Sequence, residues 1–108
     1  MMIARTWRCL CLPEHRDGFL RHMDLTGVQE CAALPGYLGH QVLERITDEM
    51  VEITLVTYWR SMEDISAFAG DDPSLARLYP GDEAYGIIPE PQVRHDVVLE
   101  QAMPAHNA

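Results

Sequence analysis

Alternating apolar and polar positions mark four stretches of the chain as β-strands. The clearest runs from Met50 to Trp59 (MVEITLVTYW) and is rich in β-branched and aromatic residues, which suit a pleated, half-buried surface. Three more strands are predicted from Met2 to about Cys11, from Tyr37 to about Ile46, and from Gln92 to about Gln101. The second and third strands are close enough in sequence to form a hairpin around Thr47-Asp48-Glu49.

The segment between the first two strands has the periodicity of a helix. Pro13 stands where proline is tolerated at a helix start, and Phe19 and Met23 recur at the spacing of a buried helical face. Gly27 interrupts this pattern. Thr26 is therefore predicted to cap a second helical piece, with a glutamine three residues later completing a capping box.

A second helix follows the third strand almost without a loop. Ser61 is predicted as its N-cap, because the hydroxyl can accept a hydrogen bond from a backbone N–H of the first turn. Ile65 and Phe68 form its apolar stripe, and Gly70 marks its end. The element order is therefore βαββαβ, which belongs to the α+β class.

Length and composition indicate a single small globular domain. Hydrophobic residues make up 47% of the 108 positions, which is too high a share for a disordered chain. We expect residues 1–101 to form the domain. Residues 102–108 show no pattern and are expected to be a disordered tail.

Charge and cysteine content narrow the classes of partner and location. The formal net charge is −9, from 17 acidic and 8 basic residues, whereas a nucleic-acid-binding protein needs a basic surface. No apolar run is long enough to span a membrane, and no secretory signal is visible. Three cysteines, an odd number, are typical of reduced thiols, so a cytoplasmic location is expected.

The third strand is apolar on both of its alternating faces. Ile53 and Trp59 lie on one side, and Val56 and Tyr58 lie on the other. Helices that pack on one face of the sheet leave the second face open. We therefore expect another element or another molecule to cover it.

Several segments, taken in order, resemble the antibiotic biosynthesis monooxygenase family. They are the opening strand MIARTWR, the turn Pro35-Gly36-Tyr37-Leu38-Gly39, the stretch TYWRSMEDISAFAGDD and the late strand Val93–Val98. The resemblance covers roughly residues 2–100. It implies a ferredoxin-like βαββαβ domain with an antiparallel four-stranded sheet. It also implies a homodimer, in which two sheets pair as a dimeric α+β barrel.

Trp59, His95 and Arg5 are the main candidates for a site. The resemblance implies that Trp59 lines the substrate cleft, although tryptophan is also a common core residue. His95 is either a general base in the cleft or a buried neutral histidine bonded to a backbone carbonyl. Arg5 is either an anion stabiliser or half of an ion pair. In the expected strand order 4-1-3-2, the three side chains converge on one face.

Trp7 and Tyr79 are, with Arg5, the candidate substrate-binding residues. Trp7 is expected to form an apolar wall, and Tyr79 either lines the cleft or covers the core. His22 is a weaker candidate, which either reaches the cleft or is a partly exposed helix residue. Cys9-x-Cys11 lacks a second Cys/His pair, so no metal is predicted, and no glycine-rich phosphate loop opens a helix, so no cofactor is predicted.

The resemblance implies a cofactor-independent monooxygenase acting on a polycyclic aromatic or quinol-like small molecule. A deprotonated phenol or enol can pass an electron to O2 without a metal or flavin, if the protein supplies a dry pocket, a base and an anion stabiliser. Haem-degrading members carry an axial histidine after the second helix, where this chain reads SLARLYP, with Tyr79. The alternative is a non-catalytic small-molecule-binding or structural dimer of the same fold.

Overall fold

The computed structural model describes residues 1–104. The strands are β1 (Ile3–Cys11), β2 (Tyr37–Thr47), β3 (Met50–Trp59), β4 (Ile88–Pro89) and β5 (Arg94–Val97). They form one antiparallel sheet, in which β1 pairs with β3 on one side and with both β4 and β5 on the other, while β2 pairs with β3. The predicted α+β class and the predicted strand order are confirmed.

The predicted last strand, Gln92 to about Gln101, is shorter than expected, because only β5 lies within it, and the short strand β4 precedes it as a fifth strand that the sequence did not predict. Pro91 lies between β4 and β5 and has no N–H group to donate to a ladder. Gln92 also bridges to Leu75 instead of pairing with β1. Beyond β5, the N–H of Val98 still donates to the carbonyl of Met2, but residues 98–101 are not a strand, so this part of the prediction is wrong.

The helices are α1 (Arg16–Met23), α2 (Gln29–Ala32) and α3 (Met62–Ala69); one 3-10 turn (Pro13–His15) precedes α1 and another (Asp82–Tyr85) precedes β4. In α3, Ser61 Oγ accepts a hydrogen bond from the backbone N–H of Asp64 at 3.2 Å, which confirms the predicted N-cap. Gly70 ends this helix with a φ of +89°, a backbone conformation that favours glycine.

The first helical segment does not restart at Thr26. A π-helical turn (Asp24–Val28) joins α1 to α2 without a break. The Thr26 hydroxyl donates to the carbonyl of His22 at 2.8 Å, as hydroxyls inside helices do, so the predicted cap is wrong. The glycine at position 27 is explained by packing instead, because a Cβ there would lie 3.3 Å from the ring of Tyr79.

The sheet presents one face to the helices. Directly paired residues of antiparallel strands lie on the same face, so Arg5, Thr57 and His95 form one row across it. Ile3 and Trp59 form the next row. The predicted convergence of Arg5, His95 and Trp59 on one face is confirmed. The helices pack here in two apolar clusters, one including Phe19, Met23 and Ile53 and the other Trp59, Ile65 and Phe68.

The opposite face carries Ala4 and Thr6 of β1 beside Val56 and Tyr58 of β3. The chain after β5 reaches the edge of this face, where Gln41 Nε2 donates to Met103 Sδ at 4.0 Å. Residues 102–104 of the predicted tail have no regular structure, and residues 105–108 lie outside the described residues. None of the helices within residues 1–104 has the length and apolar character needed to cross a membrane.

Candidate functional site

A small cavity lies between the sheet and its covering helices. Its volume is about 50 Å³, which is room for a few water molecules, since a single water needs at least about 10–15 Å³. The aromatic part of its wall consists of Trp7, Phe19, Phe68 and Tyr79. Three charged side chains complete the wall. Arg5 comes from β1, Arg77 from the irregular segment after α3, and Asp82 from the 3-10 turn Asp82–Tyr85 before β4. Apolar walls with a few convergent polar groups are typical of small-molecule sites.

Arg5 is a buried cation in this wall. The residue is 5% exposed, and its guanidinium donates to the carbonyls of Pro73 and Leu75. Within residues 1–104, Arg5 forms no ion pair with a carboxylate. Burial lowers the pKa of Arg5. The ordinary pKa of arginine is so high that the guanidinium nevertheless stays charged. A buried cation without a carboxylate partner favours an anionic ligand.

His95 contacts Arg5 and does not line the cavity. Its Nε2 lies 3.0 Å from Nη1 of Arg5. A guanidinium can only donate, so Nε2 must accept, which assigns the ring proton of a neutral imidazole to Nδ1. Burial first, and then the Arg5 cation, lower the pKa of His95. The lone pair that a general base would use is therefore engaged by Arg5.

Trp59 lies one layer behind the cavity wall. It is completely buried, and its Nε1 donates to Oγ1 of Thr57 at 2.8 Å. Its ring stacks on Phe68 with the centroids 5.8 Å apart. Thr57 and Phe68 both line the cavity, whereas Trp59 does not. In this structure Trp59 supports two wall residues and does not form the wall itself.

Trp7 and Tyr79 are in the wall, each with an unpaired polar atom. Within residues 1–104, two buried side-chain nitrogen or oxygen atoms have no hydrogen-bond partner: Nε1 of Trp7 and the hydroxyl oxygen of Tyr79. Such atoms are rare, and each costs about 1–3 kcal/mol. Burial raises the pKa of the Tyr79 phenol, and the nearby Glu30 carboxylate adds to the effect, so the phenol stays protonated. Both are unused donors on residues of the cavity wall.

Arg77 covers the cavity from outside. Its guanidinium lies 5.2 Å from the ring centroid of Phe68 and 5.4 Å from that of Tyr79, within cation–π range. It also pairs with Glu30 at 2.7 Å. These contacts attach the irregular segment to α2 and α3.

Asp82 is a wall residue that sequence reasoning missed. It is 8% exposed, and its Oδ1 lies 2.8 Å from Nε2 of His22. Its Oδ2 accepts the backbone N–H of Tyr79 at 2.8 Å. The His22 ring packs beside Tyr85 with the centroids 5.3 Å apart. His22 and Asp82 are 60 residues apart, so no periodicity in the sequence connects them.

The thiols offer no reactive group at neutral pH. Cys9, Cys11 and Cys31 are all buried and free. Cys31 lines the cavity, and burial raises its pKa to about 12, so it stays a thiol. Within residues 1–104, no group of three or more His, Cys, Asp or Glu side chains is placed to hold a metal ion.

Comparison with known proteins gives structural likeness without sequence likeness. No protein-family model matches the sequence, and no curated protein is similar to it in sequence. A candidate antibiotic biosynthesis monooxygenase from Caulobacter crescentus is 19% identical with a TM-score of 0.61, covering 92% of this chain and 91% of its own. The cofactor-independent oxygenase SnoaB from Streptomyces nogalater is 12% identical with a TM-score of 0.53, covering 97% and 100%.

A haem-degrading protein from Mycobacterium tuberculosis is also similar, at 16% identity and a TM-score of 0.56, covering 95% of this chain and 100% of its own. These relatives have different activities, and all are far below the identity at which an activity transfers. What they share with this chain is the whole architecture. The chain has the ferredoxin-like α+β fold of the antibiotic biosynthesis monooxygenases.

Proposed function

We propose that this protein is a cofactor-independent monooxygenase for an electron-rich phenol or quinol-like small molecule. The observation that carries the proposal is Arg5, a buried cation with no carboxylate partner within residues 1–104, placed in an aromatic cavity. Trp7 and Tyr79 add two unpaired donors to the same wall. An aromatic substrate that reacts as an anion would satisfy all three groups.

The chemistry needs only the substrate, O2 and these groups. Loss of a proton gives an enolate or phenolate, whose negative oxygen Arg5 stabilises. The anion passes one electron to O2, giving a carbon radical and superoxide, and their combination forms a C–O bond. The protonated hydroperoxide then loses water, so a CH2 group becomes C=O and the second oxygen atom leaves as water. A dry aromatic pocket protects these intermediates.

A polycyclic substrate is larger than the cavity of about 50 Å³, so the site must widen to admit it. The irregular segment that carries Arg77 and Tyr79 is the part of the wall outside the main strands, and it is held by an isolated bridge between Leu75 and Gln92 and by side-chain contacts. The pair of Arg77 with Glu30, at 2.7 Å, is one of these contacts. We therefore expect Arg77→Ala to speed the entry of a ligand.

The proposal is tested with 1,8-dihydroxyanthrone in air. We expect the protein to accelerate its conversion to the anthraquinone, with uptake of O2 in equal molar amount. The uncatalysed oxidation in buffer and the Arg5→Met variant serve as controls. A wild-type rate equal to that in buffer, with several phenols and quinols, would contradict a monooxygenase function.

The small cavity favours a second candidate, a protein that binds a small molecule without catalysis. Room for a few waters fits a small anion as well as it fits the reacting end of a larger one. Calorimetry with benzoate distinguishes the two. Tight binding of benzoate, together with no O2 uptake on any phenol, would favour the non-catalytic role.

Haem fits the wall poorly. The region after α3, where haem-degrading members carry an axial histidine, contains Tyr79 and no histidine here, and burial raises the pKa of Tyr79 so that its phenol stays protonated. Within residues 1–104, no histidine lines the cavity. The proposal therefore assigns no step to haem.

The proposal includes a homodimer formed through the open face of the sheet. The apolar side chain of Leu43 in β2 is 47% exposed on this face. Its neighbours on β1 and β3 are Val56, which is 8% exposed, and the half-buried Thr6 and Tyr58. A second copy would cover this face, as the sequence predicts. Sedimentation equilibrium at micromolar concentration should give twice the 12.3 kDa chain mass. A folded monomer would contradict the dimer.

A further inference from the structure

We propose that Asp82 accepts the substrate proton and that His22 is the residue that positions it. This inference rests on the proposed function, and it replaces the histidine base expected from the sequence with a carboxylate. Asp82 lines the same cavity as Arg5, so one site contains a proton acceptor and a cation for the resulting anion. Sequence patterns give neither the pair nor its role.

Asp82 is the proton acceptor that is left when the other titratable groups in or near the cavity are excluded. His95 does not line the cavity, and its Nε2 accepts from Arg5. The Tyr79 phenol and the Cys31 thiol are in the wall, but burial raises the pKa of both, so both stay protonated. Asp82 is the one carboxylate in the wall within residues 1–104.

The carboxylate of Asp82 is held in a fixed direction. His22 Nε2 and the Tyr79 N–H each contact a different oxygen, both at 2.8 Å. A carboxylate oxygen has two lone pairs, so each oxygen can still accept a proton from a substrate. The His22 side chain is 15% exposed, so the pair also reaches solvent.

His22 is itself held by its surroundings. Its ring packs between Tyr85 and the backbone of Gly81, where a Cβ would approach His22 Cε1 to 3.0 Å. A rigid imidazole that donates from Nε2 orients the carboxylate. His22 therefore acts through Asp82 and does not need to touch the substrate.

The step transfers one proton and no electrons. The C–H bond of the substrate breaks, its proton goes to an Asp82 oxygen, and the electron pair stays on the substrate as an enolate beside Arg5. In D2O without O2, the reverse step returns a deuteron to carbon. Exchange at carbon therefore reports proton abstraction separately from oxidation.

The test is anaerobic hydrogen–deuterium exchange at the CH2 group of 1,8-dihydroxyanthrone, followed by NMR. We expect the wild type to accelerate exchange and Asp82→Asn to slow it by about 10²–10⁴-fold, the usual contribution of a general base. The affinity for the probe, measured by quenching of tryptophan fluorescence, should stay within about threefold. Asparagine can keep both contacts, because its oxygen accepts from Tyr79 and its NH2 group donates to the other tautomer of His22.

Glu83→Gln is the matched control, since it removes the same charge from the next residue, which is exposed and not in the wall. It should exchange at the wild-type rate. His22→Leu should slow exchange without weakening probe binding, and His22→Gln, which keeps an N–H donor, should recover part of the rate. If Asp82→Asn does not fold, His22→Leu takes its place.

Two results separate the possible failures. Wild-type exchange retained in Asp82→Asn would overturn the role of Asp82 and leave the proposed function intact. A wild type that accelerates neither exchange nor oxidation would overturn the proposed function, and the role of Asp82 with it.

Discussion

Two buried charges line the cavity wall, and each lies beside a histidine. In one pair, which we call the Arg5 end, His95 lies 3.0 Å from the cation, and in the other, the Asp82 end, His22 lies 2.8 Å from the carboxylate. The ring nitrogen beside Arg5 must accept, because a guanidinium has only donors. The nitrogen beside Asp82 donates, because a carboxylate only accepts. The same residue type therefore performs opposite roles.

This difference decides which end can receive a proton. A histidine next to a cation is kept neutral with its lone pair engaged, so it orients the cation. A carboxylate held by a histidine and a backbone N–H keeps a free lone pair on each oxygen, and Asp82 lines the cavity. The Arg5 end therefore binds negative charge, and the Asp82 end creates it. The variants that follow test this division of roles.

Replacing Arg5 should have the largest effect. Arg5→Met keeps much of the apolar volume but leaves the carbonyls of Pro73 and Leu75 unpaired, so we expect a loss of about 2–4 kcal/mol in the free energy of unfolding. Binding of 1,8-dihydroxyanthraquinone should weaken at least tenfold. Urea titration and fluorescence titration measure the two effects.

Arg94→Met is the matched control for Arg5, since the Arg94 side chain is 73% exposed and its partner Asp96 is 53% exposed. Such a surface pair contributes little. An Arg5→Met protein as stable and as able to bind as Arg94→Met would remove the distinction between the two ends.

Trp7 lies in the cavity wall and Trp59 lies behind it, so replacing each by phenylalanine compares the same chemical change at the two places. Trp59→Phe breaks the bond to Thr57 and leaves a void, so it should lower the unfolding free energy by about 2 kcal/mol. Trp7→Phe removes a donor that has no partner within residues 1–104, and should be less damaging by about 1 kcal/mol. Ligand binding should follow the opposite order and weaken more in Trp7→Phe. Equal effects on both properties would mean that Trp59 contacts the ligand too.

The sequence predicts the fold well because its signals are local. Strand alternation, the Ser61 cap and the element order depend on residues close in sequence, and the structure confirms them. Thr26 is a prediction that fails, since a hydroxyl can cap a helix or bond four residues back, and here the helical segment continues through Gly27, so the hydroxyl bonds to His22.

The candidate site is less predictable, since its pairs join distant segments. The convergence of Arg5 with His95 follows from strand order, and was predicted. The partnership of Asp82 with His22 depends on how the segment between α3 and β4 packs against α1. Neither hydrophobic periodicity nor motif spacing carries that information.

Gly81 tests the Asp82 end without altering a charge. Its φ of +97° is unfavourable for any other residue, and an added Cβ would press on His22 at 3.0 Å. Gly81→Ala should lower the unfolding free energy by about 1–3 kcal/mol and shift the NMR signals of His22. Gly86→Ala is the control, because Gly86 also has a positive φ, of +59°, but open space around its Cβ position. His22 signals that move equally in both variants would show that the ring is not held by Gly81.

The pH dependence of stability gives the smallest effect and the finest test of the Arg5 end. Burial and the Arg5 cation lower the pKa of His95 in the folded protein, only partly offset by Asp96, whereas an unfolded histidine titrates near about 6.5. A group with a depressed folded pKa contributes stability above its unfolded pKa, and that stability is lost as the pH falls towards the folded value. The wild type should therefore lose more stability between pH 7.5 and pH 5 than His95→Gln, whose side-chain oxygen can still accept from Arg5 without titrating. Thermal unfolding of both proteins across this range measures the difference. Parallel curves would mean that His95 can be protonated beside Arg5, and the contrast between the two histidines would then fail.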